Sequence, residues 1–409
     1  MSTTGTTGQD YRVPGAVKGL SLVSLFNDFA SEMVYPLLPA FVTRTLGAGP
    51  LALGLLDGAS ELTSSVVKWF SGRMSDRPGW SHPLILGGYA TAVLVRPLIA
   101  LAGAAWQVIG FRVVDRIGKG VRTPPRDALI ATITAPAARG RAFGFHRGAD
   151  HFGAVLGSLA AWWLLQWGAD VRSVIGWSVV PGMVAFVVLL VVLKGGESER
   201  RRAGGLTPEL SGPPLSIVGS DAPSLRRSDP APTFWPPMLA LAALTFFRLP
   251  EALLILRLQD RGVSILTVPL VWAGLHVVRS ASSYPGGRIA DRIGARKTVA
   301  AGGLLFALVA AGLGLQVEAA AAVMLFLALG LVAGLSEAGE RSMVARLSPV
   351  RTGRGFGVYH ALIGIAALPA GILFGALYQQ MSGPTALWAS AGGMLVAVCF
   401  WILVSPDKE

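Results

Sequence analysis

Gly72-Arg-Met-Ser-Asp-Arg-Pro-Gly79 recurs about half a chain later as Gly287-Arg-Ile-Ala-Asp-Arg-Ile-Gly294. Each copy follows one long apolar segment and precedes another. The charged residues and the closing glycine therefore predict a tight polar turn between two apolar helices. Two copies in corresponding places indicate a chain built from two similar halves.

The composition places these helices in a lipid bilayer. Of the 409 residues, 52% are apolar and 14% are charged, and the mean hydropathy is +0.57, which soluble domains of this size do not show. A helix of about 20 apolar residues spans a bilayer core, and lipid cannot satisfy an open sheet edge. The sequence predicts twelve such helices, at residues 17–42, 51–71, 83–103, 106–130, 142–166, 173–194, 238–259, 266–286, 298–316, 320–344, 355–379 and 385–404.

The longest interruption of the apolar pattern divides the chain into two bundles. Residues 195–237 are rich in Pro, Gly, Ser and Arg and lack an apolar period. Such a composition is typical of a flexible linker. We therefore expect a six-helix bundle at residues 1–194 and a second at residues 238–409.

The net charge of +12 is distributed as membrane topology requires. Lys and Arg gather in alternate loops, including both copies of the motif, and this asymmetry predicts that both motif copies and both termini are cytoplasmic. We expect no nucleic-acid partner. The N-terminus lacks the pattern of a cleaved signal peptide, so we expect a multi-pass protein of the cytoplasmic membrane. The single cysteine, Cys399, excludes an intramolecular disulfide.

The motif resembles the signature loop of the major facilitator superfamily, which lies between helices two and three and again between helices eight and nine. The family pattern is Gly-x-x-x-Asp-Arg-x-Gly-x-Arg-Lys. The second copy matches this pattern throughout and ends in Arg296-Lys297, whereas the first has Ser81-His82 in place of Arg-Lys. The resemblance implies an all-α membrane protein with twelve transmembrane helices in two pseudo-symmetric six-helix bundles. It also implies a substrate site between the bundles near the membrane midplane.

Two neighbouring helices carry acidic residues. Such residues are energetically costly inside a membrane span and therefore suggest a function. Asn27, Asp28 and Glu32 share a stripe on the first helix, and Asp57 and Glu61 lie on the second. At a rise of about 1.5 Å per residue, Asp28 and Glu61 are near the midplane. Glu32 and Asp57 are about one turn further out. Four ionised carboxylates there would repel one another, so we expect protonation or neighbouring cations.

The fourth helix supplies such cations. Arg112, Arg116, Lys119 and Arg126 fall on nearly one face, with Asp115 beside them. Arg116-x-x-x-Gly resembles the helix-four motif of drug:proton antiporters, whose arginine is associated with proton coupling. The resemblance makes Asp28 our first choice for the coupling acid. Static buried ion pairs are the alternative interpretation.

Further ionisable residues mark the remaining candidates for the substrate cavity. His146 and Asp150 are spaced as a pair on the fifth helix, and helices seven and eight carry Arg248, Glu251, His276 and Arg279. The Gly-x-x-x-Gly of the fifth helix resembles an antiporter motif, although Ser158 stands where that motif has proline. The four residues of the second half could bind a polar or anionic part of a substrate. An internal pair between Arg248 and Glu251 is the alternative.

The resemblance also implies a cytoplasmic gate. It pairs the signature-loop arginines with acids at the inner ends of helices four and ten, here Arg77 with Asp127 and Arg292 with Glu340. Asp76 and Asp291 would then lie by helix N-termini, which favour negative charge. The full set of candidate gate residues is Gly72, Asp76, Arg77, Asp127, Gly287, Asp291, Arg292 and Glu340.

These observations together predict a secondary transporter and no enzyme. We expect a monomer in the lipid bilayer that exports a small organic compound in exchange for protons, without a cofactor. Two alternatives stay open. One is a divalent metal exporter that uses Asp28, Glu32, Asp57 and Glu61, because carboxylate oxygens suit hard cations. The other is a proton-coupled uptake symporter for an organic anion or a sugar.

Overall fold

The computed structural model describes residues 13–75, 77, 79–134, 139–203, 234–347 and 352–406. The described residues are mainly helical. The α-helices are α1 Gly15–Val34, α2 Leu38–Ala40, α3 Pro50–Ser75, α4 Ser81–Leu98, α5 Ala105–Thr132, α6 Arg139–Gln166, α7 Val171–Trp177, α8 Val179–Ala203, α9 Trp235–Phe246, α10 Glu251–Asp260, α11 Val268–Ile293, α12 Ala295–Gly314, α13 Ala319–Leu347, α14 Thr352–Gln380 and α15 Gly383–Val404.

Seven helical segments in the described part of the chain are long and apolar enough to cross a membrane. They are Ser81–Leu101, Val171–Lys194, Trp235–Asp260, Ala295–Gly314, Ala319–Leu347, Gly355–Gln380 and Gly383–Val404. The helices α1, α3, α5, α6 and α11 are more polar, because they carry most of the candidate charged residues. The expected total of twelve spans therefore stays a prediction, while the all-helical architecture is confirmed.

Both copies of the signature motif close tight turns. Gly79 and Gly294 have φ angles of +83° and +89°, which glycine adopts without the steric cost that a side chain adds. We call the side of the molecule that carries these two turns the loop side, and the opposite side the far side.

Prolines interrupt two of the predicted helices. The first was expected to run unbroken over 17–42, but it changes at Tyr35 into a 3₁₀ turn and then at Phe41 into a π-helical turn that ends at Thr45. Pro36 and Pro39 lie in the irregular stretch. The seventh is divided into α9 and α10, because Pro250 cannot donate a backbone hydrogen bond and stands as the N-cap of α10.

The two halves pack directly against each other along α3 and α14. A Cβ atom on Gly54 would lie 2.0 Å from the carbonyl oxygen of Gly371, and one on Gly371 would lie 2.1 Å from the carbonyl oxygen of Gly54. Only glycine permits this approach, as is common where membrane helices meet through small residues. Helices α6 and α11 form a second contact between the halves.

The linker differs from its predicted bounds at both ends. Helix α8 continues to Ala203, and α9 begins at Trp235. The part of the predicted linker between them, residues 204–233, lies outside the described residues. The assignment of the segment as a tether stays a prediction.

The glycine contact between α3 and α14 gives a first testable prediction. Gly371→Val should lower the free energy of unfolding by about 1–3 kcal/mol, because the added side chain meets backbone and not a flexible side chain. Thermal unfolding of the purified protein in detergent measures this. Gly392→Val is the control, since nothing lies within 4 Å of a Cβ at Gly392. Equal midpoints for the two variants would contradict the proposed close contact.

Candidate functional site

A cavity of about 370 Å³ lies between the two halves. Its volume is within the range of small-molecule sites. Its wall is mainly polar and charged, and both halves contribute. The lining residues are Glu32, Tyr35, Asp57, Gly58, Ser60, Glu61, Arg116, Lys119, Thr245, Arg248, Leu249, Pro250, Glu251, Trp272, His276, Arg279, Ala367 and Ala370.

The break in helix seven closes the far side of this cavity. The backbone N–H of Ala252, in the first turn of α10, donates to Asp57 Oδ2 at 2.9 Å. The Tyr35 hydroxyl donates to both oxygens of the same carboxylate at 3.1 Å. A helix N-terminus has unsatisfied N–H groups and favours negative charge. Asp57 therefore acts as a cap that the N-terminal half supplies to a helix of the C-terminal half.

A second set of contacts lies beside this cap. Trp272 Nε1 donates to Glu32 Oε2 at 2.8 Å, and His276 Nε2 is 3.8 Å from the same oxygen. The Tyr35 and Trp272 rings are 5.1 Å apart and almost fully buried. Aromatic packing and a shared carboxylate thus join helices one and eight across the two halves.

The loop side of the cavity is open. A second cavity, of about 780 Å³, lies between α3, α5 and α14, and Ser65, Lys68, Asp127 and His360 contribute to its wall. Ser65 is one helical turn beyond Glu61, which lines the central cavity, so the two cavities are neighbours along α3. The side chain of Asp127 is 41% exposed. We conclude that the structure is closed on the far side and open on the loop side.

The basic face of α5 divides into two groups. Arg116 and Lys119 line the central cavity. Arg112, in contrast, is fully buried with Asp115, whose carboxylate also accepts from Arg96 Nε at 2.8 Å. Asp115 lies outside the cavity wall and joins two arginines of neighbouring helices. For Asp115 the structure therefore favours the static ion-pair interpretation.

Asp28 lies outside the cavity wall, and so does Asn27. The side chain of Asn27 donates to Asp28 Oδ1 at 3.1 Å, and Asp28 acts on Lys119. The acids of helices one and two that act on Arg116 are Glu61 and Glu32. Asp28 and Glu32 share one face of the helix, but Asp28 is one turn nearer the loop side, and its coupling role stays a prediction.

His146 and Asp150 form the predicted pair but lie away from the cavity. His146 Nε2 is 3.8 Å from Asp150 Oδ1, and His146 Nδ1 is 3.3 Å from the Ser21 hydroxyl. His146 is buried between α6 and α1. The pair thus fixes one helix contact within the N-terminal half.

The alternative of an internal pair between Arg248 and Glu251 is wrong. Glu251 instead forms an ion pair with Arg279, and Arg248 Nη2 is 3.6 Å from Glu340 Oε1. The helix break at Pro250 removes the regular spacing that would bring Arg248 and Glu251 together. All four residues of the second half that were expected to meet a substrate do line the cavity.

In this loop-side-open state two of the expected gate acids have other partners. Asp127 pairs with Arg126 at 2.9 Å. Glu340 accepts a hydrogen bond from the Tyr359 hydroxyl at 2.5 Å and faces Arg248. Arg77 and Arg292 are exposed at the loop side, and so is Asp291. Gly72 and Gly287 lie on α3 and α11, and Asp76 lies outside the described residues. Such contacts need a closed loop side, so the gate stays a prediction.

The cavity wall also contains residues outside the candidate set, among them Tyr35, Lys119 and Trp272. Lys119 follows Arg116 by one turn, and Tyr35 follows Glu32 by one turn, so helical spacing could have identified both. Trp272 has no comparable signal, because an aromatic residue in a membrane helix usually faces lipid or packs in the core.

The sequence and the fold agree with one family. A model of the Major Facilitator Superfamily matches residues 20–281 and 238–409, and the chain belongs to this superfamily. An uncharacterized MFS-type transporter of Methanocaldococcus jannaschii is 26% identical over 381 residues, which cover 91% of this chain and 90% of that protein.

Two further matches are narrower or more distant. The multidrug resistance protein MdtH of Photorhabdus laumondii is 33% identical over 135 residues, which are 33% of each chain. The crystal structure of a bacterial homolog of the human lysosomal transporter Spinster, inward-facing and occupied, has a TM-score of 0.69. It is 16% identical, and the match covers 98% of both chains. This protein is therefore a multi-pass membrane transporter that acts on a small molecule.

The cap on helix seven gives a second prediction. Asp57→Ala should open the far side, because Ala252 N–H and the Tyr35 hydroxyl lose their shared acceptor. Spin labels at Thr45 and Ser264, both exposed at the far side, in a Cys399→Ser background should show a longer distance between the halves. Asp57→Asn retains an oxygen acceptor and should shift the distance less. Identical distance distributions in the parent and in Asp57→Ala would contradict the role of the cap.

Proposed function

We propose that this protein is a secondary active transporter that couples the movement of a small organic compound to protons by alternating access. One observation carries the proposal. A charged cavity lies between the two halves, and polar contacts close it on one side while the other side is open. Such a cavity can be exposed to the two sides of a membrane in turn when the halves rock about it.

Glu61 is the coupling acid that the geometry supports best. Asp57 is held by Tyr35 and Ala252, and Glu32 by Trp272. Glu61 has only a 3.3 Å hydrogen bond from Ser65 and lies exposed in the open cavity. A carboxylate that reaches solvent and has few fixed partners can exchange a proton without breaking the closure of the far side.

The charges around Glu61 would make its protonation state matter. Four basic side chains on α3, α5 and α14 act on its carboxylate: Lys68, Lys119, Arg116 and His360. When Glu61 is ionised it offsets part of this positive charge, and when it is protonated the charge is free to act on a solute. Asp28, the acid expected from the sequence, acts on Lys119 from the first helix and remains the next candidate.

The direction of coupling has two candidates. Export in exchange for protons is supported by the name of the MdtH relative, a multidrug resistance protein. Proton-coupled symport of an organic anion is supported by the cavity itself, since Arg116 and Lys119 form no ion pair within the described residues. Flux under an imposed pH gradient distinguishes the two, because the sign of the gradient that drives uptake is opposite for exchange and for symport.

The arrangement gives no support to metal export. No group of three or more His, Cys, Asp or Glu side chains with metal-binding geometry occurs among the described residues. Of the four acids considered, Asp57 and Glu32 are held by neighbours from different helices, and Asp28 lies outside the cavity wall. Hard cations need several oxygen ligands that converge on one point.

The third prediction tests the coupling acid. In proteoliposomes with an imposed pH gradient, screened across compound classes, Glu61→Gln should abolish the effect of the gradient on solute flux. Exchange of solute without a gradient should continue, because the cavity and its cations remain. Glu318→Gln, an exposed acid at the far side, is the control and should behave like the parent.

The same assay compares the two candidate acids. If Asp28→Asn removes the response to the gradient and Glu61→Gln does not, Asp28 is the coupling acid and Glu61 has another role. If no compound class moves in the parent protein, the transport proposal itself is contradicted.

A further inference from the structure

The charge of the cavity wall identifies the class of solute. The carboxylates of the wall that belong to the closed side already accept hydrogen bonds from Tyr35, Ala252 or Trp272. Glu251 is paired with Arg279. Three of the four acids in the wall therefore have protein partners, and Glu61, which has only the hydrogen bond from Ser65, is the exception.

The two cations that α5 contributes to the wall lack such protein partners. Arg116 and Lys119 line the cavity, and neither forms an ion pair or a side-chain hydrogen bond with the residues that the structure describes. Glu61 and Asp28 are near, but Lys68 and Arg122 add further positive charge around Lys119. Lys119 is thus surrounded mainly by other cations, whereas Arg116 is also acted on by Asp115, Glu61 and Glu32.

The opposite wall offers further donors. Arg248 and Arg279 line it from the second half, and each guanidinium also faces an acid, Glu340 and Glu251 respectively. Both halves therefore present cations to one cavity, and a solute that accepts hydrogen bonds from both would join them.

We propose that the solute is a small organic anion whose carboxylate, sulfonate or phosphate group binds between Arg116 and Lys119. This inference rests on the proposed function and deepens it. An oxyanion accepts charge-assisted hydrogen bonds, and the guanidinium of Arg116 offers a planar pair of donors to it. The rest of the solute extends toward Arg248 and Arg279 on the opposite wall.

The site of the anion also decides how the proton moves. Glu61 and the anion act on the same cations, so a bound anion favours the protonated form of Glu61. By linkage, protonation of Glu61 favours the anion equally. The anion and the proton therefore bind together and travel in the same direction, which selects symport over exchange.

Binding in detergent tests the inference without transport. We would compare benzenesulfonate with phenyltrimethylammonium, which resembles it in size and has the opposite charge. Both are added to the Cys399→Ser, Thr245→Cys protein, in which the new thiol lies at a half-buried position of the cavity wall. Benzenesulfonate should slow labelling of this thiol and phenyltrimethylammonium should not.

The variants locate the anion. Arg116→Gln and Lys119→Gln should each weaken the protection by benzenesulfonate about tenfold or more, the loss expected for one hydrogen bond to a charged group. Arg44→Gln changes an exposed cation outside the cavity and should have no effect. Protection should strengthen as the pH falls in the parent and become independent of pH in Glu61→Gln.

The local charge is measured with the same thiol. The Thr245→Cys protein should react faster with an anionic methanethiosulfonate than with its cationic counterpart, and Lys119→Gln should reduce this ratio. If the cationic reagent reacts faster, or only phenyltrimethylammonium protects, the anion assignment is overturned and the transport proposal stands. If the thiol results are as expected but no solute crosses proteoliposomes under a gradient, the proposed function fails and the anion site remains.

Discussion

The far-side closure depends on one carboxylate that meets a helix N-terminus. Pro250 ends the regular hydrogen bonding of helix seven and leaves the first N–H groups of α10 without partners inside the helix. In a bilayer such groups must find a partner within the protein. Asp57 supplies it from the other half of the chain, and the Tyr35 hydroxyl fixes the orientation of the carboxylate. The interface between the halves is therefore specified by the hydrogen-bonding requirement of the α10 N–H groups as well as by apolar packing.

The need for a partner inside the protein also divides the charged residues of the first half into two groups. Asp115 is fully buried and is surrounded by Arg96 and Arg112, so its charge is matched within one half. Charges matched in this way hold helices together and have no reason to change during transport. Glu61, Arg116 and Lys119 are not matched in this way and lie where solvent enters. The distinction between structural and functional charges follows from how completely each is paired, and both kinds occur on the single helix α5.

Much of the architecture could be predicted from the sequence, because apolar length, positive loops and a repeated turn are local features. Glu32, Asp57 and Glu61 line the cavity between the halves. Asp28 lies outside its wall, one turn nearer the loop side than Glu32, because the extent of the cavity along a helix is set by how the two halves pack. The partner of Glu251 was missed for a related reason. Pro250 was visible in the sequence, but the direction in which the chain resumes after the break depends on Asp57, which is distant in sequence.

The energetics of the two sides explain why a solute can drive the change of state. A helix cap contributes about 0.5–2 kcal/mol, and a partly buried charge at a helix terminus contributes up to about 2 kcal/mol. The contacts of Asp57 therefore favour the loop-side-open state by an amount that other contacts can offset. A ligand shifts such an equilibrium only by its difference in affinity for the two states. A solute that accepts hydrogen bonds from Arg116 in one half and from Arg279 in the other binds best when the halves are close around it. When the loop side closes, the two halves move apart on the far side. The cavity opens to the far side only after the hydrogen bond between Asp57 and the Ala252 N–H has been broken.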